Sequence, residues 1–85
     1  MANKKTMFKL IGFYLNENQK TYIDMVLDSC DGISQKESHS SIDNSLCEKY
    51  GFSSFPVFAL FKNNVLTRTV VGKYPINTIK NKLLI

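Results

Sequence analysis

Eighty-five residues, 44% hydrophobic and 21% charged, are enough for one domain and too apolar for a wholly disordered chain. The longest apolar runs, at residues 10–15 and 57–61, fall far short of the roughly 20 residues of a membrane span. The net charge of +4 rests on lysines spread along the chain, with Arg68 the one arginine, and so argues against a dedicated nucleic-acid surface. A lysine-flanked apolar start without a small-residue cleavage site is not a signal peptide, and the expectation is a soluble cytoplasmic protein.

Residues 8–15 (FKLIGFYL) form a short run, almost wholly apolar and rich in aromatic and branched side chains. That pattern predicts a strand covered on both faces. Asn16 then offers a helix N-cap, with Gln19 three residues on as its capping-box partner. From residue 18 to 30 the positions of Tyr22, Ile23, Val26, Leu27 and Cys30 recur at helical spacing. Gly32 is the expected C-terminal stop of this helix.

Residues 33–43 are the least readable stretch. A strand over 38–42, if it forms, is poorly hydrophobic and suits a sheet edge. Leu46, Cys47 and Tyr50 predict a short helix, capped near residues 43–45 and ended by Gly51. Residues 55–62 (FPVFALFK) predict a central strand, apolar on both faces. Asn63-Asn64 predicts a tight hairpin, because Asn tolerates the left-handed backbone such turns require. Residues 65–71 (VLTRTVV) return as a strand and Gly72 ends it. Pro75 opens a last helix whose buried stripe is Ile76, Ile79 and Leu83, with Lys80 and Lys82 near its C-terminus. The order β-α-β-α-β-β-α predicts an α/β fold: a mixed four-stranded sheet with helices packed on it.

From Tyr50 onward the punctuation resembles the C-terminal half of thioredoxins. Tyr50-Gly51, Phe55-Pro56, Phe61-Lys62 before the turn, Val71-Gly72 and the Ile79/Leu83 stripe fall at matching spacings. Residues 42–49 extend the likeness backwards. The resemblance implies a minimal thioredoxin-like fold over residues 1–85, without the family's N-terminal β-α extension and with residues 1–6 as a flexible lead. It also implies a cis Phe55–Pro56 bond beside a substrate groove.

Carried upstream, the likeness sets Asn16, Glu17, Asn18, Gln19 and Lys20, in a slightly shorter turn, where thioredoxins have Trp-Cys-x-x-Cys-Lys. It aligns their buried acid with Gly12. A helix N-terminus lowers a thiol's pKa, but none of these side chains is a thiol. Dithiol exchange needs one thiolate to attack and a second thiol to resolve.

The resemblance therefore implies a redox-inactive module that needs no cofactor and binds a protein or peptide segment. Its groove would be made by Tyr14, Asn16, Glu17, Asn18, Gln19, Phe52, Ser54, Phe55 and Pro56. The alternative is an atypical thiol enzyme or redox sensor using Cys30 or Cys47. Both cysteines sit at apolar positions and read first as small buried hydrophobes. His39, Asp43 and Glu48 have no metal-ligand spacing and read as surface residues.

Overall fold

A computed structural model describes residues 6–84. The flexible lead expected at the N-terminus therefore falls, for residues 1–5, outside the described residues. The elements are β1 (Phe8–Tyr14), α1 (Glu17–Asp28), β2 (Gln35–Ser40), α2 (Ser45–Tyr50), β3 (Val57–Lys62), β4 (Val65–Val71) and α3 (Ile76–Leu84). They form an α/β fold around one four-stranded sheet of order β2-β1-β3-β4. β1 runs parallel to β2 through the α1 crossover and antiparallel to β3, which pairs antiparallel with β4. Among the described residues no helix is long and apolar enough to cross a membrane.

The two central strands read as continuous apolar runs because both of their faces are covered. Leu10, Phe58, Leu60 and Val70 pack with Tyr22, Ile23, Val26 and Leu27 of α1 and with Ile79 and Leu83 of α3. On the other face Ile11, Phe13, Val57, Ala59 and Phe61 pack with Cys47 of α2. Adjacent residues of a strand thus serve opposite cores, as a side-chain period of two requires.

The polar punctuation sets the connections. Asn44 caps α2 by accepting from the N–H groups of Leu46 and Cys47, at 2.9 and 3.2 Å. Gly51 ends that helix in the left-handed conformation, φ 71°. Asn63 and Asn64, at φ 50° and 69°, close the β3–β4 hairpin.

Four boundaries differ from the sequence reading. Gly32 is not the stop of α1. The helix closes earlier, at a Ser29 cap with right-handed backbone whose hydroxyl also donates to the Val26 carbonyl at 2.7 Å. Cys30, predicted on the last turn, lies just beyond the helix and is fully buried. β3 begins at Val57, not residue 55, because Pro56 has no N–H for a ladder; the Phe55–Pro56 peptide is cis. β2 takes the edge position but spans Gln35–Ser40 rather than 38–42. Ile42, the one apolar residue of the span 38–42, is 67% exposed in the turn beyond. β2 buries no side chain; its pairing with β1 and the Lys9–Glu37 contact at 3.2 Å hold it.

Candidate functional site

The sheet brings the C-terminal ends of β1, β2 and β4 and the start of β3 to one end of the molecule. The chain leaves β1 at Tyr14 and turns at once into α1. Asn16 is the N-cap, as its sequence position predicts, and its Oδ1 accepts from the Gln19 N–H at 3.0 Å. Gln19 does not close a standard capping box. Its Oε1 reaches one residue further back and accepts from the Leu15 N–H at 2.8 Å. Its Nε2 donates to the carbonyl of Phe55 at 3.3 Å, a contact across 36 residues of sequence. One side chain therefore ends the strand, starts the helix and fastens the helix N-terminus to the segment before Pro56.

The far wall is the β4–α3 connection. The Pro56 carbonyl accepts from the Gly72 N–H at 2.9 Å. Gly72 sits at φ 117°, a conformation side chains rarely adopt, and a Cβ there would lie 3.1 Å from the Tyr74 ring. The Tyr22 hydroxyl, on α1, accepts from the Tyr74 N–H at 3.0 Å and donates to the Tyr74 carbonyl. On the near side the Ser41 N–H donates to the Tyr14 carbonyl at 2.8 Å. The sequence reading missed Tyr22, Ser41, Gly72 and Tyr74 as builders of this end. Val71-Gly72 was visible as punctuation, but its pairing with Pro56 is a long-range fact.

The aromatic residues named from the sequence do not form one surface. Tyr14 is half-buried against the α1/α3 side of the sheet, whereas Phe52 and Phe55 pack on the α2 side. Phe52 stands 5.7 Å from Phe13 and 5.9 Å from Tyr50, ring centre to ring centre. Phe52 and Phe55 are half-buried and pack against the second core, while Ser53 and Ser54 between them are exposed. Asn16, Glu17 and Asn18 are exposed, Gln19 is half-buried and Pro56 is buried. On the β1–β2 side of this end the exposed apolar side chains are Leu15, at 52%, and Ile42.

Both cysteines are free and buried, and they lie in the two different cores. Neither stands at the α1 N-terminus. Burial pushes both thiols above their ordinary range. Each then favours folding while protonated, fully below the unfolded-chain pKa of about 8.5 and less as pH climbs toward the folded value. Native protein at neutral pH is accordingly expected to react with an aromatic disulfide reagent far more slowly than urea-unfolded protein. Rapid labelling of either cysteine in the folded state would contradict the burial. Among the described residues no three His, Cys, Asp or Glu side chains gather to hold a metal. His39 is occupied by Glu37, at 2.8 Å.

No protein-family model matches this sequence, and no curated protein matches it either. Solved thioredoxin structures do. Reduced thioredoxin pre-protein from Schistosoma mansoni superposes with a TM-score of 0.68 at 19% identity, over 88% of this chain and 74% of that one. A point mutant of thioredoxin from Halobacterium salinarum gives 0.67 at 19%, covering 87% and 69%. Thioredoxin-2, a component of the malaria parasite's protein secretion machinery, gives 0.65 at 20%, covering 93% and 82%. The fold is thioredoxin-like, and the sequence has no Cys-x-x-Cys motif.

Proposed function

Taking the thioredoxin-like fold as premise, we propose that this protein is a redox-inactive module that binds an extended protein segment in the groove beside Pro56. The observation that carries the reading is the Gln19–Phe55 contact. It holds the α1 N-terminus against the Pro56 segment, and it does so with an amide where the resemblance aligns a redox thiol. Among the described residues, the N–H groups of Glu17, Asn18 and Phe55 have no partner within the chain, so an incoming backbone finds donors there. Leu15 and Ile42 offer apolar contact on the rim. Strand addition is a general recognition mode in which backbone hydrogen bonds give affinity and side pockets give selectivity. Two free, buried thiols suit a reducing compartment, which supports a cytoplasmic location.

Peptides selected against the immobilised protein test this. Their amide shift changes are expected at residues 15–19, 42 and 53–56. Gln19→Ala releases the Phe55 carbonyl for a partner N–H and is expected to tighten binding severalfold. It costs about 1–3 kcal/mol of folding stability, because two hydrogen bonds go. Shift changes confined to α3 or to residues 67–70 would defeat the groove. Insulin reduction by the wild-type protein that disappears in Cys30→Ser or Cys47→Ser would establish the thiol alternative instead.

A further inference from the structure

All seven acidic residues precede Gly51, and the 34 residues that follow it hold Lys62, Arg68, Lys73, Lys80 and Lys82 with no acid. In the sequence these cations read as scattered, and Lys73 does lie over the Tyr22 ring of α1, but Arg68 of β4 and Lys82 of α3 meet at the edge of the sheet. β4 is an edge strand and α3 packs beside it, so one flank of the sheet is cationic while the acids lie toward β1, β2, α1 and α2. The flank is also connected: Arg68 Nη1 donates to the Lys82 carbonyl at 3.2 Å, and Lys82 Nζ lies 5.5 Å from the Tyr74 ring centre.

From the open edge and this charge we propose that β4 accepts an acidic, extended segment of a partner protein as a fifth strand. The proposal is independent of the Pro56 groove. β4 runs seven residues with no proline and no acid, and Val65 and Val71 stand 65% and 46% exposed. Its outer row of backbone groups has no strand partner among the described residues. Proteins guard such edges with charge against pairing with their own copies. Two β4 edges would set Arg68 and its neighbouring lysines against the same cations, and like charges on facing strands repel. An acidic strand reverses that sign.

The register specifies the segment further. Arg68 and Val70 lie opposite Leu60 and Phe58, on the side where α3 packs; Thr69 and Val71 lie opposite Ala59 and Val57, on the other side. A strand laid along β4 meets Arg68, with Lys82 of α3 beside it, on one face and the β-branched Thr69 and Val71 on the other. It should therefore alternate Glu or Asp with Val, Ile or Thr. Single-stranded nucleic acid fits less well. Its neutral affinity comes from stacking on open aromatic faces, and the exposed ring of this flank, Tyr74, already has the Lys82 ammonium over it.

The probe is a blocked heptapeptide alternating Glu and Val, followed by fluorescence anisotropy and by amide shifts. Binding is expected, with the largest shifts on Val65–Val71. Affinity should fall about tenfold in the Arg68→Glu/Lys82→Glu variant, whose changes are at exposed positions, and again in high salt. A peptide of equal composition with its Glu residues grouped, and one N-methylated along the pairing edge, should each lose binding. If either binds as well as the parent, the attraction is charge alone and strand addition is wrong. Tighter binding of an oligothymidylate of equal charge would assign the flank to nucleic acid. Shifts at residues 15–19 and 55 would return the peptide to the Pro56 groove. No binding at millimolar peptide would overturn the proposal outright.

Discussion

Gly12→Asp is expected to leave the protein unfolded at room temperature, and Gly12→Ala to lower its stability by about 1–3 kcal/mol. Gly12 lies buried at the middle of β1, on the side that receives α1. A Cβ there would collide with Ile23 Cγ2 and stand 3.2 and 3.3 Å from Cγ1 and Cδ1. Ile23 is fully buried and branched at Cβ, so its side chain has no free rotamer to retreat into. The methyl must push α1 away from the sheet. An aspartate adds a carboxyl group with no hydrogen-bond partner in an apolar core, at a further cost of roughly 2–7 kcal/mol. A chain of this length has about 4–13 kcal/mol to lose. Urea unfolding followed by circular dichroism measures both variants. Gly12→Ala/Ile23→Ala should be less destabilised than the two single variants added together, because the second change removes what the first collides with. A cooperative, near-wild-type transition for Gly12→Asp would show that α1 can move off the sheet. The close approach of α1 thus leaves no room for the acid that the thioredoxin resemblance aligns here.

That approach was invisible in the sequence, where Gly12 looks like an interruption of an apolar run. β1, the β3–β4 hairpin and the caps were legible because each rests on local chemistry: alternate-face apolar runs, asparagines that accept left-handed backbone, and side chains that reach nearby N–H groups. β2 was not, since QKESHS has no hydrophobic signal and takes its strand form from the ladder with β1. The misplaced stop at Gly32 has a related cause. Any glycine near a helix end satisfies the rule, whereas the actual stop is a right-handed Ser29 cap. For the site, Pro56 and residues 16–19 were readable as punctuation. Which side of the sheet Tyr14, Phe52 and Phe55 serve was not. That depends on the pairing of β1 with β3 and on packing against the two cores. Nor could sequence disclose that Gln19 bonds to both Leu15 and Phe55.

Installing the missing thiols should convert this end of the molecule into a dithiol site. In Asn16→Cys/Gln19→Cys the two sulfurs would occupy the N-cap and third positions of α1, where the native Asn16 Oδ1 already meets the Gln19 N–H at 3.0 Å. Side chains three apart on a helix are neighbours, with Cβ atoms about 5–6 Å apart, so modest adjustment brings them to disulfide distance. The thiol at position 16 would face the free N–H groups of Glu17 and Asn18 and the positive end of the helix. Both hold a thiolate below the ordinary thiol range. Exchange then balances. The thiolate attacks a substrate disulfide and releases one thiolate. The second thiol displaces the other substrate sulfur, and dithiothreitol reduces the resulting intramolecular disulfide. The cost is the N-cap, about 1 kcal/mol, and the two Gln19 side-chain bonds, about 0.5–1.5 kcal/mol each. Insulin reduction at least an order of magnitude above wild type is expected, with Asn16→Cys alone forming a mixed disulfide that only dithiothreitol can resolve, and so turning over more slowly. If the double variant folds and forms its disulfide yet leaves insulin untouched, then the end beside Pro56 differs from a dithiol site in more than its missing sulfurs. The Gly12–Ile23 contact, which excludes an acid behind the helix, would be the first place to look.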